Sequence, residues 1–193
     1  MLNLKLATDP RWVNLAEKNI SEILTDHAYC EQKAANSCIS LIVMYPDLKP
    51  IVEALTPIVT EEWGHFSMVL KEIYNRGFQL GFPRKDEYVN ALLSFQKRQG
   101  KREDVLVEKL LTNALIEARS CERFRLLSLE LDDSYLKKFY HSFMVSEAGH
   151  YRLFMDLARI YKDKSYVDCR WQEYLNYELD IFKTIKIRGD RMH

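Results

Sequence analysis

EEWGHF, residues 61–66, and SEAGHY, residues 146–151, carry the same arrangement: a glutamate, two intervening residues and a histidine. The 193-residue chain has five histidines, and two of them complete this arrangement, as Glu62-x-x-His65 and Glu147-x-x-His150. On a helix, residues i and i+3 share a face one turn apart, so a carboxylate and an imidazole so spaced can hold one metal ion between them. Whether the two copies form one site depends on how the rest of the chain folds around them.

Composition narrows that question. Hydrophobic residues make up 47% and charged residues 29%, with Gly at 6 and Pro at 5. So few chain breakers point to long helices, and this length suits a single domain, residues 1–193. Twenty-eight basic residues balance 28 acidic ones. Any nucleic-acid contact must therefore come from a local patch rather than from the net charge. The opening MLNLKLATDPRW lacks the apolar core of a signal peptide, and the most apolar run, ISLIVMY, is too short to span a bilayer. No membrane association is expected. Cys30, Cys38, Cys121 and Cys169 form no CxxC pair. Free thiols of this kind fit a reducing, cytoplasmic setting.

Periodicity supplies the elements. TDPRW is a helix-start signal. Apolar positions at helical spacing run over about residues 18–44, and YPDLKP breaks them. A second helix spans about 50–76, with Pro57 inside it and Gly77 as its cap. A short amphipathic helix at about 86–96 lies within a long connection. Long helices follow at about 103–129 and 134–161, separated by ELDDS with Asp132 or Asp133 as N-cap, and a fifth runs over about 165–183. The order hairpin, long crossover, hairpin is that of an all-α, ferritin-like four-helix bundle with one long crossover, here carrying a short extra helix, and a fifth C-terminal helix. A crossover along such a bundle must travel about 40 Å, which some 25 part-helical residues can cover.

The two hairpins read as a weak internal repeat, YCEQKAAN…EEWGH against LIEARSCE…SEAGH. Glu31 and Glu117 sit about as far before their turns as Glu62 and Glu147 sit after them. Both hairpins thus return a lone Glu and a Glu-x-x-His to one level, so that Glu31, Glu62, His65, Glu117, Glu147 and His150 converge. Four carboxylates and two imidazoles are the donor set of a ferritin-like di-iron centre, and buried carboxylates without a metal or partner are heavily penalised. Glu122, the rival to Glu117, lies five residues further on, some 140° around the helix. It is read as an outer partner or as ion-paired to Arg119 or Arg123. His27, one turn before Glu31, is read as a satisfied core histidine, with an outer partner of the site or a channel lining as the other readings. His141 and His193 are expected at the surface. Trp63, Phe66, Tyr151 and Phe154 are expected in the core or lining an apolar pocket. Gly64 and Gly149 suggest close helix packing or room beside the metals.

Four stretches, ILTDHAYCEQKAA, EEWGHF, ALIEARSCERFRLLS and SEAGHYRLF, resemble the tRNA 2-methylthio-N6-isopentenyladenosine hydroxylase family, over nearly the whole chain. EARSCERF, residues 117–124, is the most specific of them. The resemblance implies a non-haem di-iron monooxygenase that hydroxylates the isopentenyl side chain of a hypermodified adenosine in tRNA. Its implied needs are two iron ions, O2 and two electrons from an external reductase or ferredoxin-like donor. Carried over motif by motif, it selects the same six ligands. Two other classes stand beside it: a ferritin- or rubrerythrin-like protein that oxidises iron or handles peroxide, and a metal-free helical interaction module. The missing CxxC pairs speak against a full rubrerythrin. For tRNA, the candidate contacts are Lys97, Arg98, Lys101 and Arg102 in KRQGKR, expected near Lys49, Arg159, Lys162 and Lys164. A solvated charge run at a helix end is the competing reading.

Overall fold

The break at YPDLKP reverses the chain as expected. In the computed structural model, which describes residues 2–193, α1 (Arg11–Glu17) leads into α2 (Ile20–Met44), and α3 (Lys49–Asn75) returns along α2. The remaining helices are α4 (Glu87–Phe95), α5 (Arg102–Glu130), α6 (Ser134–Tyr161) and α7 (Lys164–Thr184), and no strand occurs among the described residues. Every long helix lies within two residues of its expected bounds. The helix expected from about residue 18 begins at Ile20, because Asn19 closes α1 by donating its N–H to the Ala16 carbonyl at 3.0 Å and then stands at the N-cap of α2.

The chain divides into two compact units: residues 11–85 with 188–192, and residues 2–10 with 86–187 and 193. In the first, α2 buries Ile23, Leu24, His27, Ala28, Glu31, Ala35, Cys38 and Leu41, one stripe at three- and four-residue spacing. The facing stripe of α3 is Ile51, Leu55, Ile58, Glu62, Val69 and Ile73. Each fully buried Leu or Ile here contributes about 1.5–3 kcal/mol. A glutamate stands in the middle of each stripe, where apolar burial alone would put a leucine. Gly77 ends α3 in the left-handed region at φ 74°. Its N–H donates to the Tyr74 carbonyl and that of Phe78 to the Ile73 carbonyl, both at 3.0 Å, which is the paired closure that favours glycine at this place. The following segment returns over α2: Tyr29 donates to the Gly81 carbonyl at 2.9 Å, and Arg84 pairs with Glu22. Residues 188–192 also lie on this unit, with the Met192 N–H donating to Asp26 at 2.8 Å.

In the second unit α5 and α6 form the main hairpin, and α4 and α7 pack beside it. Asp133 caps α6, accepting from the Tyr135 and Leu136 N–H groups at 2.9 and 3.0 Å. From Ala114 to Phe124 nearly every residue of α5 is buried, including Glu117, Arg119, Glu122 and Arg123. The charges are matched in place. Arg119 bridges Glu178 and Glu122, each at 3.0 Å. Arg170 binds Glu108 at 2.7 Å, and Tyr174 donates to the same carboxylate at 2.8 Å. Burial opposes the charge on Glu108, yet Arg170, the Lys97 N–H and Tyr174 together hold its carboxyl below the usual range. His193, expected at the surface, is buried instead: its Nε2 lies 3.0 Å from Ser120 Oγ and its ring stacks on Tyr88 at 5.2 Å.

Candidate metal centre

Each unit presents a half-site of one lone glutamate and one Glu-x-x-His. In the first, Glu31 from α2 and Glu62 and His65 from α3 bring ligand atoms within 4.8 Å of one another. His65 Nδ1 lies 3.4 Å from both Glu31 Oε2 and Glu62 Oε2. In the second, Glu117 from α5 and Glu147 and His150 from α6 are gathered within the same 4.8 Å, with His150 Nδ1 3.2 Å from Glu147 Oε2. The level matching of the two hairpins is thus met within each unit. Glu62 and Glu147 are each 1% exposed and Glu117 is 6% exposed, so these carboxylates sit where water does not solvate them. His65, half-buried, is the ligand candidate closest to solvent.

The ring nitrogen facing the carboxylates is Nδ1 in both motifs. The other nitrogen, Nε2, faces Glu61 Oε1 at 3.9 Å in His65 and Ser146 Oγ at 3.4 Å in His150. Glu61 and Ser146 each directly precede the motif glutamate. Carboxylate oxygens with imidazole nitrogens suit iron or manganese, and two acids and an imidazole per half leave coordination positions for an exogenous ligand. The residues present therefore fit a metal ion in each half.

Glu122 and His27 stand as expected, and the other expectations are met in part. Glu122 is ion-paired to Arg119, and it also accepts from the Thr8 N–H at 3.0 Å and hydroxyl at 2.6 Å. His27 is fully buried, with Nε2 2.6 Å from Glu31 Oε1. Trp63, expected in the core or lining an apolar pocket, is 51% exposed and stacks on Phe66 at 4.9 Å. It lies 100° around α3 from Glu62, so a glutamate that points inward turns its neighbour sideways. Gly64 and Gly149 are exposed, and a Cβ at either would meet nothing within 4 Å, so neither serves close packing. Cys121, not foreseen, donates its thiol to the Met144 carbonyl at 3.2 Å; burial, then the charges of Glu147 and Glu122, push it up to about 12, an inert packing thiol. Lys97 and Arg98 follow α4, Lys101 and Arg102 open α5, and all four are exposed. Lys162, at the end of α6, reaches Asp104 at 2.5 Å, which brings the start of α5 beside the end of α6. Arg159 and Lys164 are engaged by Asp168.

The topology and the donor set together define a class, the ferritin-like proteins with carboxylate and histidine ligands on their long helices. One solved structure, "Protein 43 with aldehyde deformylating oxygenase activity from Synechococcus", superposes with a TM-score of 0.92 at 31% identity, covering 98% of this chain and 94% of that one. The tRNA-(MS[2]IO[6]A)-hydroxylase (MiaE) family matches residues 2–193, and the chain belongs to that family. Its relatives include the tRNA 2-(methylsulfanyl)-N(6)-isopentenyladenosine(37) hydroxylase of Pseudomonas putida, 34% identical over 158 residues, 82% of this chain and 76% of that protein. The enzyme of the same name from Salmonella typhimurium is 27% identical over 205 residues, 81% of this chain and 75% of its own length.

Proposed function

We propose that this protein hydroxylates the isopentenyl side chain of 2-methylthio-N6-isopentenyladenosine in tRNA. One observation carries the reading: a chain matched to this hydroxylase family from residue 2 to residue 193 folds two buried Glu and Glu-x-x-His half-sites. In this reading residues 1–193 act as a single domain, and Glu31, Glu62, His65, Glu117, Glu147 and His150 hold two iron ions. When bound, the irons supply activation of O2 for insertion of one oxygen atom into a C–H bond of the prenyl group. The second oxygen leaves as water, which takes two electrons and two protons. The electrons come from a separate reductase or ferredoxin-like donor. A tRNA substrate puts the reaction in the cytoplasm, and no helix among the described residues is long and apolar enough to cross a membrane.

The chain's own groups do three things. Glu62 and Glu147 are almost fully enclosed, so their carboxylates are held out of bulk water. The two histidines present Nδ1 inward; behind them, Nε2 of His150 lies 3.4 Å from the Ser146 hydroxyl, which steadies that ring, and Nε2 of His65 lies 3.9 Å from Glu61, beyond a direct hydrogen bond. The half-buried edge at His65 is where the ligand layer comes nearest to solvent.

Reduced, iron-loaded protein given O2 and tRNA bearing the prenylated nucleoside is expected to add one oxygen atom to that nucleoside, labelled when the O2 is labelled. tRNA without the prenyl group stays unchanged. Iron oxidation with no nucleoside change under any reducing system would sink the proposal and favour a ferritin- or rubrerythrin-like role.

Lys97, Arg98, Lys101 and Arg102 are proposed to contact the tRNA backbone. They are exposed at one end of the second unit, and a chain of net charge zero needs a local cationic face to hold a polyanion. Neutralising all four is expected to weaken tRNA binding and flatten its salt dependence by roughly one slope unit for each phosphate no longer held. Iron content should be unchanged. A salt slope identical to that of the unmodified protein would move the docking surface elsewhere, with KTIKIRGDR, residues 183–191, next in line.

A further inference from the structure

The two half-sites differ in what stands behind their ligands. Glu31 divides its oxygens: Oε1 lies 2.6 Å from His27 Nε2, while Oε2 lies 3.4 Å from His65 Nδ1. His27 is fully buried, and Glu31 is 4% exposed. At 2.6 Å, within hydrogen-bond reach across one helical turn, the imidazole is the group placed to hold this carboxylate from behind. So short a contact between two buried groups fixes the carboxylate's rotamer and engages Oε1. Oε2 is left as the oxygen that faces the other ligands.

The internal repeat has no second imidazole at this place. Aligning Glu31 with Glu117 sets His27 against Asn113, an amide. The outer partners of the motif histidines are unequal in the same sense: a carboxylate, Glu61, faces His65, and a hydroxyl, Ser146, faces His150. Groups behind a ligand set its orientation and its strength as a donor, and their loss changes metal affinity by about 10–100-fold. The first half-site thus has an imidazole at hydrogen-bond distance from its lone glutamate, where the repeat puts an amide residue in the sequence of the second.

We propose that His27 is a positioning residue that orients Glu31 and makes the two metal positions unequal. The proposal rests on the di-iron reading. It requires that the first half-site, Glu31 with Glu62 and His65, differ from the second in affinity and in electronic environment, and that His27 cause much of the difference.

Anaerobic titration with ferrous iron, followed by Mössbauer spectroscopy, tests it. The unmodified protein is expected to take up two ions per chain and to show two distinct quadrupole doublets of equal area. His27→Leu, which keeps the bulk and removes the donor, is expected to shift one doublet only and weaken one of the two ions about 10–100-fold. His27→Gln, whose amide can donate across one helical turn, should restore the unmodified pattern. If His27→Leu does not fold, His27→Asn, copying the repeat partner Asn113, takes its place, and the two doublets should move toward each other. Doublets and affinities unchanged in the donor-less variant would overturn the proposal, as would two doublets shifting equally. An unmodified protein that takes up no pair of ions would refute the di-iron reading itself, a result distinct from failure of His27 alone.

Discussion

Alanine at Glu62 or at His150 is expected to leave the protein with at most one iron ion per chain and no detectable hydroxylation. Both side chains lie where nothing else can replace them. Glu62 is 1% and His150 3% exposed, and the ligand atoms around each lie within 4.8 Å. The same substitution should not harm the fold. Glu31 and Glu62 crowd two carboxylates into one buried layer, and taking polar groups out of water in this way is costly. Removing one relieves that cost, so metal-free Glu62→Ala should melt at or above the temperature of the metal-free parent. Glu122→Ala should do the reverse: iron near two per chain, because Glu122 serves Arg119 and Thr8, and a lower melting temperature. Metal analysis and thermal melting on the three variants decide it. Iron lost from Glu122→Ala and retained by Glu62→Ala would show that the ligand set has been assigned wrongly.

That crossed pattern follows from what helical phase reveals in a sequence. A glutamate in an apolar stripe declares itself, because its neighbours four and seven residues away are Ile58, Phe66 and Val69 or their like. Two hairpins with matched spacing from their turns then fix the level. Helical phase applied to Trp63 would have turned it outward; residue type alone put it in the core. Glu122 was legible as a partner of Arg119 because the two stand three apart on one helix. That Arg119 itself is fully buried was not, since its burial comes from Leu6, Thr8 and Glu178, all far along the chain. His193 was missed for the same reason. No periodicity runs through the tail, and its partners Ser120 and Tyr88 are 73 and 105 residues away. Sequence pattern resolves faces within a helix; it does not resolve which loop or tail closes over them.

The cluster around Arg119 supports the second large effect. Its guanidinium donates to Glu178 and Glu122, each at 3.0 Å, and to the Leu6 carbonyl at 3.0 Å, and it lies 4.3 Å over the Phe182 ring. Tyr88 donates to the same Glu178 oxygen at 2.8 Å, and burial, then the Glu178 charge, raise that phenol well above its ordinary value. One arginine thus ties α4, α5, α7 and the second unit's segment before α1 into a single network. Arg119→Ala leaves two buried carboxylates facing a void, and breaking a buried pair on one side costs about 3–5 kcal/mol. For a chain of this size that is roughly a 10 °C fall in melting temperature. Arg119→Lys should recover only part of it, because an ammonium cannot reach both carboxylates and the carbonyl from one planar fork. Adding Glu178→Gln to Arg119→Ala should recover some of the loss, since it removes one of the stranded charges. If Arg119→Ala melts within about 2 °C of the parent, less than a loss of 1 kcal/mol would produce, the network is ornamental and the burial of this charge has been compensated elsewhere. If the double variant is less stable than the single one, Glu178 is held by Tyr88 more than by Arg119.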